Sequence, residues 1–247
     1  MKEAAELLSG APARLGPAQL AERWDSLPDP VRRYLRLAIP DPAAAPETGT
    51  CHLTHGGTFR TSLSARWLPV DADEFHTVSE PGFVWQARFH PMPLVNLKVT
   101  DMLFHGHGTG RVHAAGRVPV SRMSGPEVDQ SASARWLMEA VWFPYAFVGP
   151  HVHWEPIDNT AARVSLTSIP DVSVEMHFDA GSGLPRTVES DRYMAKAKRP
   201  FRGACSEFRS HSGFLIPTRM KGSWLLPEGE FSCIDFELHT IEYNPVI

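Results

Sequence analysis

Long apolar runs are missing from this 247-residue chain, and no stretch of about 18 residues reads as a membrane-crossing helix. Cysteine is scarce. Cys51, Cys205 and Cys233 are odd in number and widely spaced, which excludes a disulfide framework and a CxxC metal pair and leaves free thiols of a reducing compartment. A basic surplus is missing too: 24 Lys and Arg against 28 Asp and Glu give a net charge of −4, which argues against a nucleic-acid partner. The first eight residues carry acidic side chains where a signal peptide needs an apolar core, so the chain reads as soluble and cytoplasmic. GxSxG, HExxH, GxGxxG and P-loop spacings are all absent, which removes the common hydrolase, zinc-protease and nucleotide signatures.

Proline and glycine are plentiful, at 22 and 18 residues, as many turns between short strands require. Residues 1–46 read as an N-terminal helical segment and linker. Leu20, Trp24, Val31, Tyr34 and Leu35 fall at helical spacings, prolines at 17, 28 and 30 divide the run, and Pro40, Pro42 and Pro46 mark an extended connection. Over residues 47–247 the period becomes two. Phe83, Trp85, Ala87 and Phe89 alternate with polar or smaller residues, as do Val174, Met176 and Phe178, and Ile234, Phe236 and Leu238. That pattern predicts roughly eight to ten antiparallel strands with one face on a core.

One helix interrupts them. Ser131 or Ser133 can cap a helix over 133–143 whose stripe of Trp136, Leu137, Ala140, Val141 and Phe143 needs an apolar partner, and Pro144 ends it. The fold class is α+β: a curved antiparallel sheet wrapped around this helix, with N-terminal helices.

The stretch 103–113 reads Leu-Phe-His-Gly-His-Gly-Thr-Gly-Arg-Val-His. As one strand it puts Phe104, Gly106, Gly108 and Gly110 on one face, where the helix or a ligand can approach closely, and His105, His107, Thr109 and Arg111 on the other. A His-x-His pair can chelate zinc with a third ligand from His151, His153 or Glu155, yet strand histidines also serve as plain polar residues or line a cavity. No bound metal and no cofactor is expected. Glu139 stands at the edge of the helix stripe. Facing the sheet, its pKa rises and it suits acid–base work beside a histidine; facing water, it makes an i, i+4 pair with Arg135.

These residues predict a cavity between helix and sheet lined by Trp85, Phe104, Trp136, Phe143 and Trp224, with His105, His107, Arg111, Glu139 and Tyr145 orienting a ligand. The first function read from it is binding of an apolar or amphipathic small molecule. The alternative is a cofactor-free acid–base enzyme, an isomerase, lyase or hydrolase, with Glu139 and His105 or His107 as catalytic groups. A structural or partner-binding protein with a filled core is the third.

The segments Leu27-Pro-Asp-Pro-Val-Arg-Arg-Tyr-Leu, Pro81-Gly-Phe-Val-Trp, Gly106-His-Gly-Thr-Gly and Leu137-Met-Glu-Ala-Val-Trp-Phe-Pro together resemble a bacterial family of unknown function, DUF6544 (DUF6920-like). Gly213-Phe-Leu-Ile-Pro-Thr-Arg and Ile241-Glu-Tyr-Asn look like that family's ending. The resemblance implies a fold similar to the LolA/LolB lipoprotein carriers, an incomplete barrel around a helix with an apolar cavity. It implies no activity. Many relatives carry an N-terminal apolar anchor, a pattern from which this chain departs.

Overall fold

The computed structural model describes residues 2–10, 13–92, 95–115, 118–169 and 171–246. Three helices come first: α1 (Lys2–Ser9), α2 (Pro17–Arg23) and α3 (Asp29–Ala38). Six strands follow: β1 (Thr50–Phe59), β2 (Leu68–Thr77), β3 (Gly82–Met92), β4 (Val95–Phe104), β5 (His107–Ala114) and β6 (Val118–Ser124). Helix α4 (Pro126–Glu139) precedes β7 (Val152–Asp158), β8 (Ala161–Leu166), β9 (Ser173–Phe178), β10 (Pro185–Met194), β11 (Ala197–His211), β12 (Phe214–Leu226) and β13 (Gly229–Tyr243). All thirteen strands, more than the eight to ten expected, form one antiparallel sheet in the order β6-β5-β4-β3-β2-β1-β13-β12-β11-β10-β9-β8-β7. With β6 and β7 as its two edges, the sheet is open rather than a closed barrel.

Alternation decides which face turns inward. Phe83, Trp85, Ala87 and Phe89 of β3, Val174, Met176 and Phe178 of β9, and Phe236 and Leu238 of β13 all join one buried cluster with α4. Helix α4 lies against β5 on one arm of the sheet and β10 on the other, so the sheet curls around it. Close approach requires a bare strand. A Cβ on Gly108 would sit 2.6 Å from the Val128 carbonyl oxygen of α4 and 3.0 Å from the Ala132 methyl carbon.

The helix begins earlier than 133. Pro126 occupies its first turn directly after Gly125, whose φ of 118° favours glycine, and Glu127 and Asp129 complement the dipole there. The serines expected as caps do other work: Ser131 Oγ accepts a bond from the Tyr193 amide (2.8 Å), and Ser133 Oγ donates to the Asp129 carbonyl (2.8 Å). The α-helix ends at Glu139, and the chain continues through 3₁₀ turns at Ala140–Trp142 and Pro144–Val148.

Helices α2 and α3 belong to the same core, α2 through Leu20. Val31, Tyr34, Leu35 and Ala38 of α3 are buried in it, and the Tyr34 ring lies 5.8 Å from Phe178 and 6.2 Å from Phe147. The proline-rich connection is a turn rather than an extended spacer: the Ala44 amide donates to the Asp41 carbonyl (3.1 Å) and Ala45 is buried. Helix α1 covers a patch on the outer face, where Ala4 and Leu7 pack on Phe75 and Val84. Among the described residues, no helix is long and apolar enough to cross a membrane.

Candidate functional site

The histidine ladder expected over 103–113 is interrupted by a turn. His105 (φ 48°) and Gly106 (φ 80°) join β4 to β5 as a two-residue hairpin loop of the kind right-handed strand twist favours. His105 is exposed in that loop. His107 is exposed on β5, its Nδ1 3.5 Å from Asp129 Oδ2. Neither histidine accompanies Glu139. Phe104 and Arg111 face outward as well: Phe104 packs with the α1 cluster, and Arg111 donates to Glu3 Oε1 (3.1 Å). The sequence could not reveal this, because the apolar α1 patch makes the outer face look like an inner one. His153, exposed, and Glu155 lie on the edge strand β7, where Glu155 faces Arg163 at 4.0 Å.

The cavity expected between helix and sheet is filled. Trp136, Leu137 and Phe143 are each 1% exposed, and Trp85 and Tyr145 are buried beside them. Hollows lie elsewhere: one of ≈ 390 Å³ by Leu15, Gln19 and His151, and one of ≈ 290 Å³ by Leu7, Met102 and Phe104 under α1. Of the expected lining residues, Trp224 alone stands half-buried on the inner face, its ring 4.9 Å from Phe201.

The core holds instead a polar cluster that the sequence reading found only in part. Arg135 of α4 donates through Nη2 to Glu74 Oε1 (2.6 Å) and through Nε to Glu139 Oε1 (2.8 Å), and its Nη1 lies 3.5 Å from Asp101 Oδ2. Its guanidinium stacks 4.8 Å from the ring centres of both Phe83 and Trp85. His76 projects between the carboxylates, with Nε2 3.6 Å from Glu74 Oε1 and 3.7 Å from Glu139 Oε2. Glu139 Oε2 and both His76 ring nitrogens are buried without a hydrogen-bond partner among the described residues. Behind them, the Trp85 indole donates to His55 Nε2 (3.0 Å), which places the proton of the neutral imidazole on Nδ1, and that same Nε2 lies 3.3 Å from Glu74 Oε2.

Burial governs the charges. It raises Glu139 to about 8 and Glu74 to about 7, with Arg135 pulling both back, and it raises Asp101. Burial together with Arg135 lowers His55 to about 4 and takes His76 well below the usual imidazole range. Glu139 therefore faces the core, and the i, i+4 pair with Arg135 forms there rather than on a solvated face. Glu74 and His76 went unnoticed because Phe75, apolar and pointing the other way under α1, disguises the inward face of β2; His55 lies on the neighbouring β1. The visible signal was Val70, Ala72, Glu74 and His76 sharing one parity.

Past this cluster the inner face becomes apolar and less covered. Strand register runs it from Leu97 to Phe89 and Val70, then from Leu68 through Phe59 to Ile234. One rung away, Phe201, Trp224 and Phe231 are neighbours. Phe59, Leu68, Leu97, Trp224 and Ile234 are only partly buried. Arg192 of β10 shares this face, its guanidinium 4.9 Å above the Phe201 ring. Its buried Nε is unpartnered, and no carboxylate comes within 4.0 Å of it among the described residues. Burial and the charge of Arg135 lower its pKa to about 10.

Comparison with solved structures finds a LolA superfamily protein from Nitrosomonas europaea, with a TM-score of 0.49 and 10% identity, covering 88% of this chain and 93% of the other. A DUF1329 family protein from Desulfovibrio piger is similar at a TM-score of 0.47 and 12% identity, covering 87% and 94%. No curated protein matches the chain. The profile of a family of unknown function matches residues 18–236, and the chain belongs to that family, DUF6544.

Proposed function

We propose that this protein binds an amphipathic small molecule with an anionic head group on the part of the inner face that α4 leaves uncovered. The observation that carries the reading is Arg192, a guanidinium stacked on Phe201 and without a carboxylate within 4.0 Å among the described residues, at the margin of a partly exposed apolar surface. An unpaired cation in such surroundings is costly unless an anion completes it. The apolar tail would lie over Phe59, Trp224 and Ile234, and the head would meet Arg192. This moves the ligand from the space beneath α4, where the sequence put it, to the open end of the same face.

Dodecanoate is a suitable probe, followed through the fluorescence of Trp85 and Trp224. Saturable binding is expected, weakened about 10-fold or more in Arg192→Met, since a hydrogen bond to a charged group contributes about 1.5–3 kcal/mol. The methyl ester should bind the two proteins alike. No binding defeats the reading and leaves a filled-core structural protein, and equal binding of dodecanoate by both proteins defeats the role of Arg192 that carries it.

The 3.7 Å approach of Glu139 Oε2 to His76 Nε2 favours a second reading, an acid–base enzyme acting on the bound molecule. Glu139→Gln would then abolish turnover while binding stays nearly intact.

A further inference from the structure

We infer that Glu74, His76 and Glu139 form a binding site for a divalent first-row cation of the zinc class. One ligand atom from each residue lies within 4.8 Å of the others. The observation independent of the acidic pair is His76: its side chain is fully buried, neither ring nitrogen has a hydrogen-bond partner among the described residues, and Nε2 points between the two carboxylates. A buried imidazole with both nitrogens unpaired costs free energy, and coordination at Nε2 would recover the share that belongs to that nitrogen. Glu139 Oε2 is an unpartnered lone-pair donor on the opposite side.

The spacing fits such an ion. Ligands about 2.0–2.2 Å from a tetrahedral zinc stand about 3.3–3.6 Å from one another. His76 Nε2 is 3.6 Å from Glu74 Oε1 and 3.7 Å from Glu139 Oε2, within a few tenths of an ångström of those separations, and the two carboxylates offer oxygens within 4.8 Å of each other. One imidazole with two carboxylates suits zinc, iron(II) or manganese better than calcium, which takes six to eight oxygens. The two glutamates have an outer shell: Arg135 holds Oε1 of both, and His55 lies against Glu74 Oε2. The Asp101 side of the cluster is its least covered, with that side chain 33% exposed and those of Arg135 and Glu139 14% exposed.

The inference is independent of the ligand on the open face. It competes with the proton-transfer reading, because a cation takes the lone pairs that would carry the proton, so metal binding itself is the deciding readout. Chelator-stripped protein is titrated with Co²⁺, whose visible absorption reports its coordination, and with Zn²⁺ against a chromophoric chelator. One equivalent is expected. His76→Ala and Glu139→Gln should each weaken it about 10-fold or more, whereas His107→Ala and His153→Ala, at exposed positions, should leave it unchanged. If His76→Ala fails to fold, Glu139→Gln, which keeps the shape of the side chain, carries the comparison with the wild-type Co²⁺ spectrum. A wild-type Co²⁺ spectrum identical to that of the aqueous ion overturns the site. So does equal affinity in wild type and Glu139→Gln, or loss of binding in the His107 or His153 variant.

Discussion

Replacing Gly108 with alanine drives a methyl carbon into the backbone of α4. The added carbon would lie 2.6 Å from the Val128 carbonyl oxygen, 2.9 Å from its carbonyl carbon and 3.0 Å from the Ala132 methyl carbon. Two of these obstacles are main-chain atoms, which cannot swing aside as a flexible side chain would, so the helix must move off β5. That movement also stretches the 2.7 Å bond from the Gly108 amide to Asp129 Oδ1. Overpacking of this kind costs about 1–3 kcal/mol, and a strained hydrogen bond adds about 0.5–1.5 kcal/mol. A total of about 3 kcal/mol lowers the melting temperature of a chain this size by about 6–12 °C. Urea denaturation and calorimetry measure it, with Gly181→Ala as control, because the nearest atom there is a solvent-exposed Asp179 oxygen at 3.4 Å. A Gly108→Ala protein that melts with the parent refutes the close approach of helix and strand.

Other expectations follow from the cluster. Arg135→Met strands buried carboxylates and should cost about 3–5 kcal/mol by urea unfolding, more than Glu139→Gln, which keeps a hydrogen-bonding group. In metal-free protein, Glu74 near 7 and Glu139 near 8 keep protons that the unfolded chain has already released. Stability should therefore fall as pH rises from about 6.5 to 8, and Glu139→Gln should flatten that fall. Below about 6.5 the lowered histidines act in the opposite sense, because the unfolded chain then binds protons that His55 and His76 refuse. A urea midpoint that rises between pH 6.5 and 8 contradicts this assignment. His107→Ala, on an exposed side chain, should change the melting point by no more than about 0.5 kcal/mol in equivalent stability.

Much of the fold could be read from periodicity, since strands such as β3, β9 and β13 bury alternate side chains against a single core. The bare strand at Gly108 and the desolvation of Glu139 were legible for the same reason: each follows from the helix having nowhere else to put its apolar stripe. Three features resisted. His105-Gly106 turns the chain because both residues adopt positive φ, and a histidine before glycine is a weak signal for that. Phe104 misled because α1 buries part of the outer face, so apolar character there does not mark the inside, and Arg111 turns to Glu3 of that same helix. The meeting of β2, β4 and α4 at Arg135 is a tertiary contact spanning 61 residues from Glu74, beyond the reach of any local pattern.

A crystal structure of the protein with dodecanoate bound tests the central claim most directly. The account predicts the carboxylate on the Arg192 guanidinium and the alkyl chain running over Phe59, Trp224 and Ile234. A chain lodged instead beneath α1, beside Leu7, Met102 and Phe104, or a carboxylate paired away from Arg192, would contradict it.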